Sequence, residues 1–108
     1  MQQGILYTLL QKDTSAAITG PAILSNPLAS VKAIHAILKG TGAITATVII
    51  EASNTPDAEA WLEMGVITMS GTTVKAEGLI VDVQWLYTRA RLTTITGTAA
   101  KIYVDMAV

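Results

Sequence analysis

The sequence contains no cysteine. That excludes disulfides, thiolate metal sites and a cysteine nucleophile, and it leaves the redox compartment open. It has one histidine, His35, so a triad or an imidazole metal site has a single residue to draw on as base or ligand. Charged residues make up 14% of the chain and aromatic residues 5%; the former is well below the ~25% of an ordinary soluble domain. Lys and Arg number 7 against 8 Asp and Glu, a formal net charge of −1. So even a balance offers no electrostatic footprint for nucleic acid or an anionic membrane. No apolar run approaches the roughly 18–20 residues of a membrane-spanning helix. Met1-Gln2-Gln3-Gly4 lacks the basic n-region of a signal peptide, and the ILYTLL that follows is too short for its apolar region. The glycines are spaced as turn residues, and Gly40-Thr41-Gly42 is far from a phosphate-binding loop.

What is present is apolar and β-branched. Hydrophobic residues are 51% of the 108. The length suits one domain, which buries roughly 65% of its unfolded surface and needs no covalent staples. A small domain this apolar is expected to cover part of its surface with copies of itself or with a larger assembly; an apolar monomeric sandwich is the alternative. Thr, Val and Ile in this abundance suit pleated sheets.

The stretch that organises the chain is VKAIHAILKGTGAITATVIIEASN, residues 31–54. In its second half Ile44, Ala46, Val48 and Ile50 alternate with Thr45, Thr47, Ile49 and Glu51, the period of a strand with one buried face. The glycines at 40 and 42 predict a tight turn between two strands. Residues 26–40 support two readings. Asn26 and Pro27 could open a helix carrying Leu28, Val31, Ile34 and Leu38 on one side and closing at Lys39-Gly40. As a strand, Val31, Ala33, His35 and Ile37 oppose Lys32, Ile34, Ala36 and Leu38. The Gly-Thr-Gly turn and the matched length of the next strand favour the strand.

Upstream, residues 5–10 predict a first strand, and residues 1–30 as a whole read as that strand plus an irregular or extended arm. Downstream, SNTPDAEA reads as a loop in which Thr55 and Pro56 start one short helical turn. WLEMGVITMS predicts a strand with Leu62, Met64, Val66 and Thr68 on one face and Trp61, Glu63, Gly65, Ile67 and Met69 on the other. Gly71-Thr72-Thr73 reads as a turn. QWLYTRARLTTIT is the longest strand candidate, with Trp85, Tyr87, Arg89, Arg91, Thr93 and Ile95 against Leu86, Thr88, Ala90 and Leu92. After a turn at Gly97-Thr98 the chain returns as a final strand, with Ala100, Ile102, Val104, Met106 and Val108 inward and Lys101, Tyr103 and Asp105 outward. Short strands separated by regular turns imply an all-β fold: a single antiparallel β-sandwich, jelly-roll-like, with an N-terminal strand or arm over 1–30 and the sandwich core over 31–108.

Three motifs carry a resemblance. TATVIIEASN is a strand ending in a Ser-Asn loop. WLEMGVITMSGT is a Trp-opened strand closing on Ser-Gly-Thr. WLYTRARLTTITGTAAKIYVDMAV is an Arg-x-Arg strand with a Gly-Thr hairpin at the end of the chain. In this order, over residues 31–108, the chain resembles small β-sandwich virion proteins of tailed bacteriophages, the capsid decoration or cement proteins and related tail components. The family's usual Ser-Asn-Asp-Gly loop is replaced here by Ser53-Asn54-Thr55-Pro56-Asp57. The resemblance implies a non-enzymatic structural protein on the outer capsid surface of the virion. Its partners would be itself, as a homo-oligomer, and the major capsid protein of the shell, with no nucleic acid and no membrane. The alternative within the resemblance is a tail or fibre module that binds host-surface carbohydrate.

Three constellations could carry chemistry. His35 reads as a structural histidine, since no partner residues are marked for it. Glu51, Asp57, Glu59 and Glu63 cluster around one loop without calcium-loop spacing, so a solvated loop is the plainer reading and a weak cation site at a subunit contact the other. Arg89 and Arg91 share a face with Trp85 and Tyr87. That face could bind sugar or nucleic acid, but near-neutral charge and few aromatics favour packing as a sheet face or subunit interface. No catalytic, cofactor-binding or metal-ligating residue is nominated, and a hydrolase lacks a marked base.

Overall fold

The computed structural model describes residues 6–24, 31–82 and 85–107. Every regular element among them is a strand: β1 (Leu6–Thr14), β2 (Ile18–Thr19), β3 (Ile23–Leu24), β4 (Val31–Ser53), β5 (Leu62–Asp82) and β6 (Tyr87–Ala107). They form one antiparallel six-stranded sheet in the order β1-β6-β4-β5, with β2 and β3 also paired to β6. The all-β reading therefore holds, as does the strand reading of residues 31–40. The Asn26-Pro27 helix start lies outside the described residues.

The strands are far longer than the sequence pattern predicts, and the reason is the crease that crosses them. β4 has 23 residues, which would span ~75 Å if straight, yet the longest dimension of the molecule is 41 Å. The left-handed backbone conformations lie in register: Gly42 on β4 (φ 74°), Thr73 on β5 (φ 62°), Gly97 (φ 127°) and Ala99 (φ 56°) on β6. Ala43 stands opposite Thr72, and Thr41 opposite Thr98. The pairing register shifts at this line, between Lys39 and Ala43 against β5 and between Lys39 and Thr45 against β6, as β-bulges do where a strand bends.

Across the crease the sheet folds back over itself. A Cβ built on Gly65 would run into the Leu79 side chain, although both residues belong to β5 and a straight strand would hold them ~46 Å apart. The connection from β5 to β6 agrees. Asp82 pairs at the Val31 end of β4 and Tyr87 at the Ser53 end, and five residues reach at most ~18 Å. The two ends of β4 are therefore neighbours.

This geometry corrects the hairpins expected at Gly40-Thr41-Gly42, Gly71-Thr72-Thr73 and Gly97-Thr98. A hairpin at 40–42 would pair the two halves of β4 with each other. Each half is instead occupied by β5 on one side and β6 on the other, so the glycines turn the chain out of the plane of the sheet rather than within it. The final strand likewise pairs with β1 and β4 and not with residues 89–96. The hairpin that does form joins β4 to β5 through residues 54–61, where Ala52 faces Leu62. An isolated turn forms at Pro56-Asp57 without extending into a helix; the Thr55 N–H donates to Ser53 Oγ at 3.1 Å, and Leu86 N–H to Asn54 Oδ1 at 3.4 Å.

One face of the folded sheet forms the core. Ile34, Ala36 and Leu38 before the crease and Ile44, Ala46, Val48 and Ile50 after it are all buried, with Ala90, Leu92, Ile102, Val104 and Met106 from β6 and Leu9 and Leu10 from β1. The alternation expected for β4 and for residues 100–106 of β6 is the observed one, although Val108 lies outside the described residues. In the first half of β6 Thr88, Ala90 and Leu92 are inward as expected, but a register shift between Thr94 and Leu92 turns Ile95 toward the core opposite Ala46, Trp85 also packs on the core, and Leu86 is exposed. Lys32 shares the inward row and is buried, as is Thr88. On β5, Ile67 and Met69 point inward, but a register shift opposite Ile50 and Glu51 turns Met64 toward the core as well. The accessible surface, 6044 Å², is near the ~5,700 Å² of a compact 11-kDa chain, so the chain covers its own core.

The described part of the N-terminal thirty residues runs along β6 on both sides of the crease. Leu6 faces Ala107, whereas Ile18 faces Leu92 and Ile23 faces Thr88. β5 is left as the opposite edge.

Candidate functional site

The densest polar cluster lies on the outer face where β4, β5 and β6 meet, near the 54–61 loop. Glu51 stands directly across from Arg89, and Ile49 from Arg91, so the alternation of the two strands delivers one carboxylate and two guanidinium groups to the same face. Arg89 Nε donates to Glu51 Oε1 at 2.8 Å; Arg91 donates to Oε2 through Nε at 3.4 Å and through a terminal nitrogen at 3.3 Å. The Arg89 guanidinium also lies 4.1 Å from the centre of the Trp61 ring, within reach of cation–π attraction. These neighbours leave the Glu51 side chain 8% exposed, against 23% for Arg89 and 38% for Arg91. Trp61 Nε1 is buried with no hydrogen-bond partner among the described residues.

The arrangement ties the middle of the sheet together. Both Glu51 oxygens are held by guanidinium groups. The acidic cluster seen in the sequence therefore divides: Glu51 is absorbed by the arginines, while Asp57, Glu59 and Glu63 are exposed. The aromatic–arginine face divides too. Trp85 is partly buried against the core, and the tryptophan that meets an arginine is Trp61, from the loop that leads into β5. Reading one strand at a time missed the Glu51–Arg89–Arg91 cluster; the usable signal was that 51 and 89 carry opposite charges on strands that alternate in the same phase. Substituting Glu51 with Gln leaves two guanidinium groups side by side. The urea unfolding midpoint is expected to fall by an amount worth about 1–2 kcal/mol, less than the ~3–5 kcal/mol of a fully buried pair because Arg91 keeps contact with water. An unchanged midpoint would show that the cluster does not stabilise the fold.

His35 is half exposed, with Nδ1 3.8 Å from Asp105 Oδ1, too long for a hydrogen bond. Its row across the sheet is Thr8, Asp105, His35 and Gly78. Among the described residues no group of three or more His, Asp or Glu side chains could hold a metal ion.

Hollows lie elsewhere among the described residues. One of about 250 Å³ runs between β1 and residues 18–21, lined by Leu9, Leu10, Gln11, Thr14, Ile18 and Pro21 among others, with no charged side chain. Another, about 70 Å³, sits at the crease among Lys12, Asp13, Lys39, Lys101 and Tyr103. The outer face also carries an apolar row at the edge remote from the crease: Leu6, Ala107, Ala33 and Ile80 are successive cross-strand neighbours, all exposed, Leu6 at 67% and Ile80 at 75%. No model of a known protein family matches the chain, and no curated protein matches it.

Proposed function

We propose that this chain is a structural protein of a tailed-phage virion, a capsid decoration protein that works in many copies, binds the major capsid protein and stabilises the head shell. The observation that carries the reading is the exposed row Leu6–Ala107–Ala33–Ile80, which spans the four main strands of a sheet whose own core is already covered. An apolar strip of this kind suits the centre of a protein–protein contact. The all-β frame and the resemblance of residues 31–108 to small virion β-sandwiches point the same way. Burial would be the mechanism: a contact of standard size hides ~1,600 Å², and repetition over a shell multiplies weak contacts. The reading is non-enzymatic, in keeping with a Glu51 held by two arginines.

The carbohydrate-binding alternative calls for exposed aromatic platforms. Trp61 carries Arg89 on its ring and Trp85 packs on the core, so no observation favours it. Particles lacking the protein are expected to release their contents at a lower temperature than complete ones, and purified protein added back is expected to restore them. Stripped shells as robust as complete ones would overturn the proposal, as would finding the protein only on tails. Glycan binding lost on Trp85→Ala would replace it with the alternative.

A further inference from the structure

Several charges of this chain meet a partner within it. Lys75 meets Glu77 at 3.4 Å, and Arg89 and Arg91 share Glu51. Two sets of charges without such a partner are segregated. Lys12 and Lys39 face no carboxylate among the described residues and share the 70 Å³ hollow at the crease with Lys101, Asp13 and Tyr103. Lys39 and Lys101 are direct cross-strand partners, a like-charge pairing that costs stability. The one acid present, Asp13, approaches Lys101 at only 4.0 Å and is largely exposed. The Lys12 ammonium lies 5.5 Å from the centre of the Tyr103 ring, so an aromatic floor underlies the cations. The hollow is cationic and open.

The unpaired carboxylates are at the other end of the same strand. Asp57, Glu59 and Glu63 are exposed and have no cationic partner among the described residues. β4 carries the chain from the crease at Gly42 to Ser53 at the start of their loop, roughly 35 Å of strand. That is several times the ~8–10 Å over which exposed charges act in physiological salt. The two sets are complementary, and they cannot neutralise each other within one molecule.

We propose that they do so between copies: the acidic 55–63 loop of one copy docks into the lysine hollow at the crease of the next. The inference rests on the reading of this chain as a protein that works in many copies, and it names the contact. The contact uses two different surfaces, so it is head-to-tail, and its repetition builds a ring or a row. Exposed ion pairs are individually weak and screened by salt, so a single contact is labile and repetition supplies its strength.

Two variants test it by sedimentation velocity. The crease variant carries Lys12→Gln, Lys39→Gln and Lys101→Gln. The loop variant carries Asp57→Asn, Glu59→Gln and Glu63→Gln. Every position is exposed, and circular dichroism checks that both variants fold. Wild-type protein is expected to associate in ~20 mM salt and to separate in ~500 mM salt. Each variant alone is expected to stay at the 11.3-kDa monomer. Mixed in equal amounts they are expected to form dimers and nothing larger, because only the loop of the crease variant and the hollow of the loop variant remain intact. Variants that associate like the wild type overturn this contact and leave the many-copy reading standing. Wild-type protein that stays monomeric in low salt overturns both.

Discussion

A chain stopped at codon 103 is expected to give a product without a cooperative thermal transition. Residues 103–107 belong to a central strand. On one side Tyr103, Val104, Asp105, Met106 and Ala107 face Ile37, Ala36, His35, Ile34 and Ala33 of β4; on the other, Val104 to Ala107 hold Leu10, Thr8, Tyr7 and Leu6 of β1. The truncation removes Val104 and Met106, both fully buried, worth about 3–6 kcal/mol together. It also strips β1 of every paired residue but Thr14, which faces Ile102. Leu9 and Leu10, buried on that strand, then lose their anchorage, at about 3–6 kcal/mol more. The total rivals the ~5–15 kcal/mol that holds a typical domain together. The bared edges of β1 and β4 would favour aggregation. A melt followed by circular dichroism checks this. A truncated protein with a sharp transition near that of the full-length chain would show the strand to be dispensable.

The all-β class, the inward row of β4 and that of residues 100–106 on β6 were legible because alternation is a local property: each side chain's face follows from its neighbours two residues away. The crease was not legible for the complementary reason. Gly40-Thr41-Gly42 has the composition of a hairpin turn, and whether such a glycine reverses the strand in the sheet or folds the sheet over depends on which strands occupy the flanks. β5 and β6 lie on the two sides of β4 through both of its halves, and nothing within residues 31–54 encodes that. The candidate site fails locally in the same way. Glu51 and Arg89 are 38 residues apart and meet only once the register of β4 against β6 is known. Lys32 was placed by alternation on the row that proves to be the core, but the pattern gives no warning that a lysine there is buried. Met64 was placed on the wrong side of β5 because a bulge changes the phase of a strand, and a bulge has no reliable sequence mark.

Gly97→Ala is expected to destabilise the protein far more than Gly42→Ala, although both glycines lie on the crease with positive φ. At Gly42, φ is 74° and a Cβ would meet nothing within 4 Å, so the cost is that of the backbone conformation alone, about 1–2 kcal/mol. At Gly97, φ is 127°, and a Cβ would lie 2.7 Å from Ile44 Cγ2, 2.8 Å from the Ala43 carbonyl oxygen and 3.2 Å from Ile44 Cα. The carbonyl and the Cα belong to the neighbouring strand and can yield only if the β4–β6 pairing shifts at the crease. Overpacking of this kind adds about 1–3 kcal/mol to a backbone penalty of about 1–3 kcal/mol. At roughly 4–8 °C per kcal/mol for a domain near this size, Gly97→Ala should melt well over 10 °C below wild type and Gly42→Ala several degrees below it. The comparison also separates the two geometries. As tips of hairpins, both glycines would be open, and the two alanines would cost alike. In the folded sheet Gly97 lies tight against Ala43 and Ile44 of β4. Equal losses at the two sites would mean that the strands stand further apart there and that the crease is set by the positive-φ residues alone.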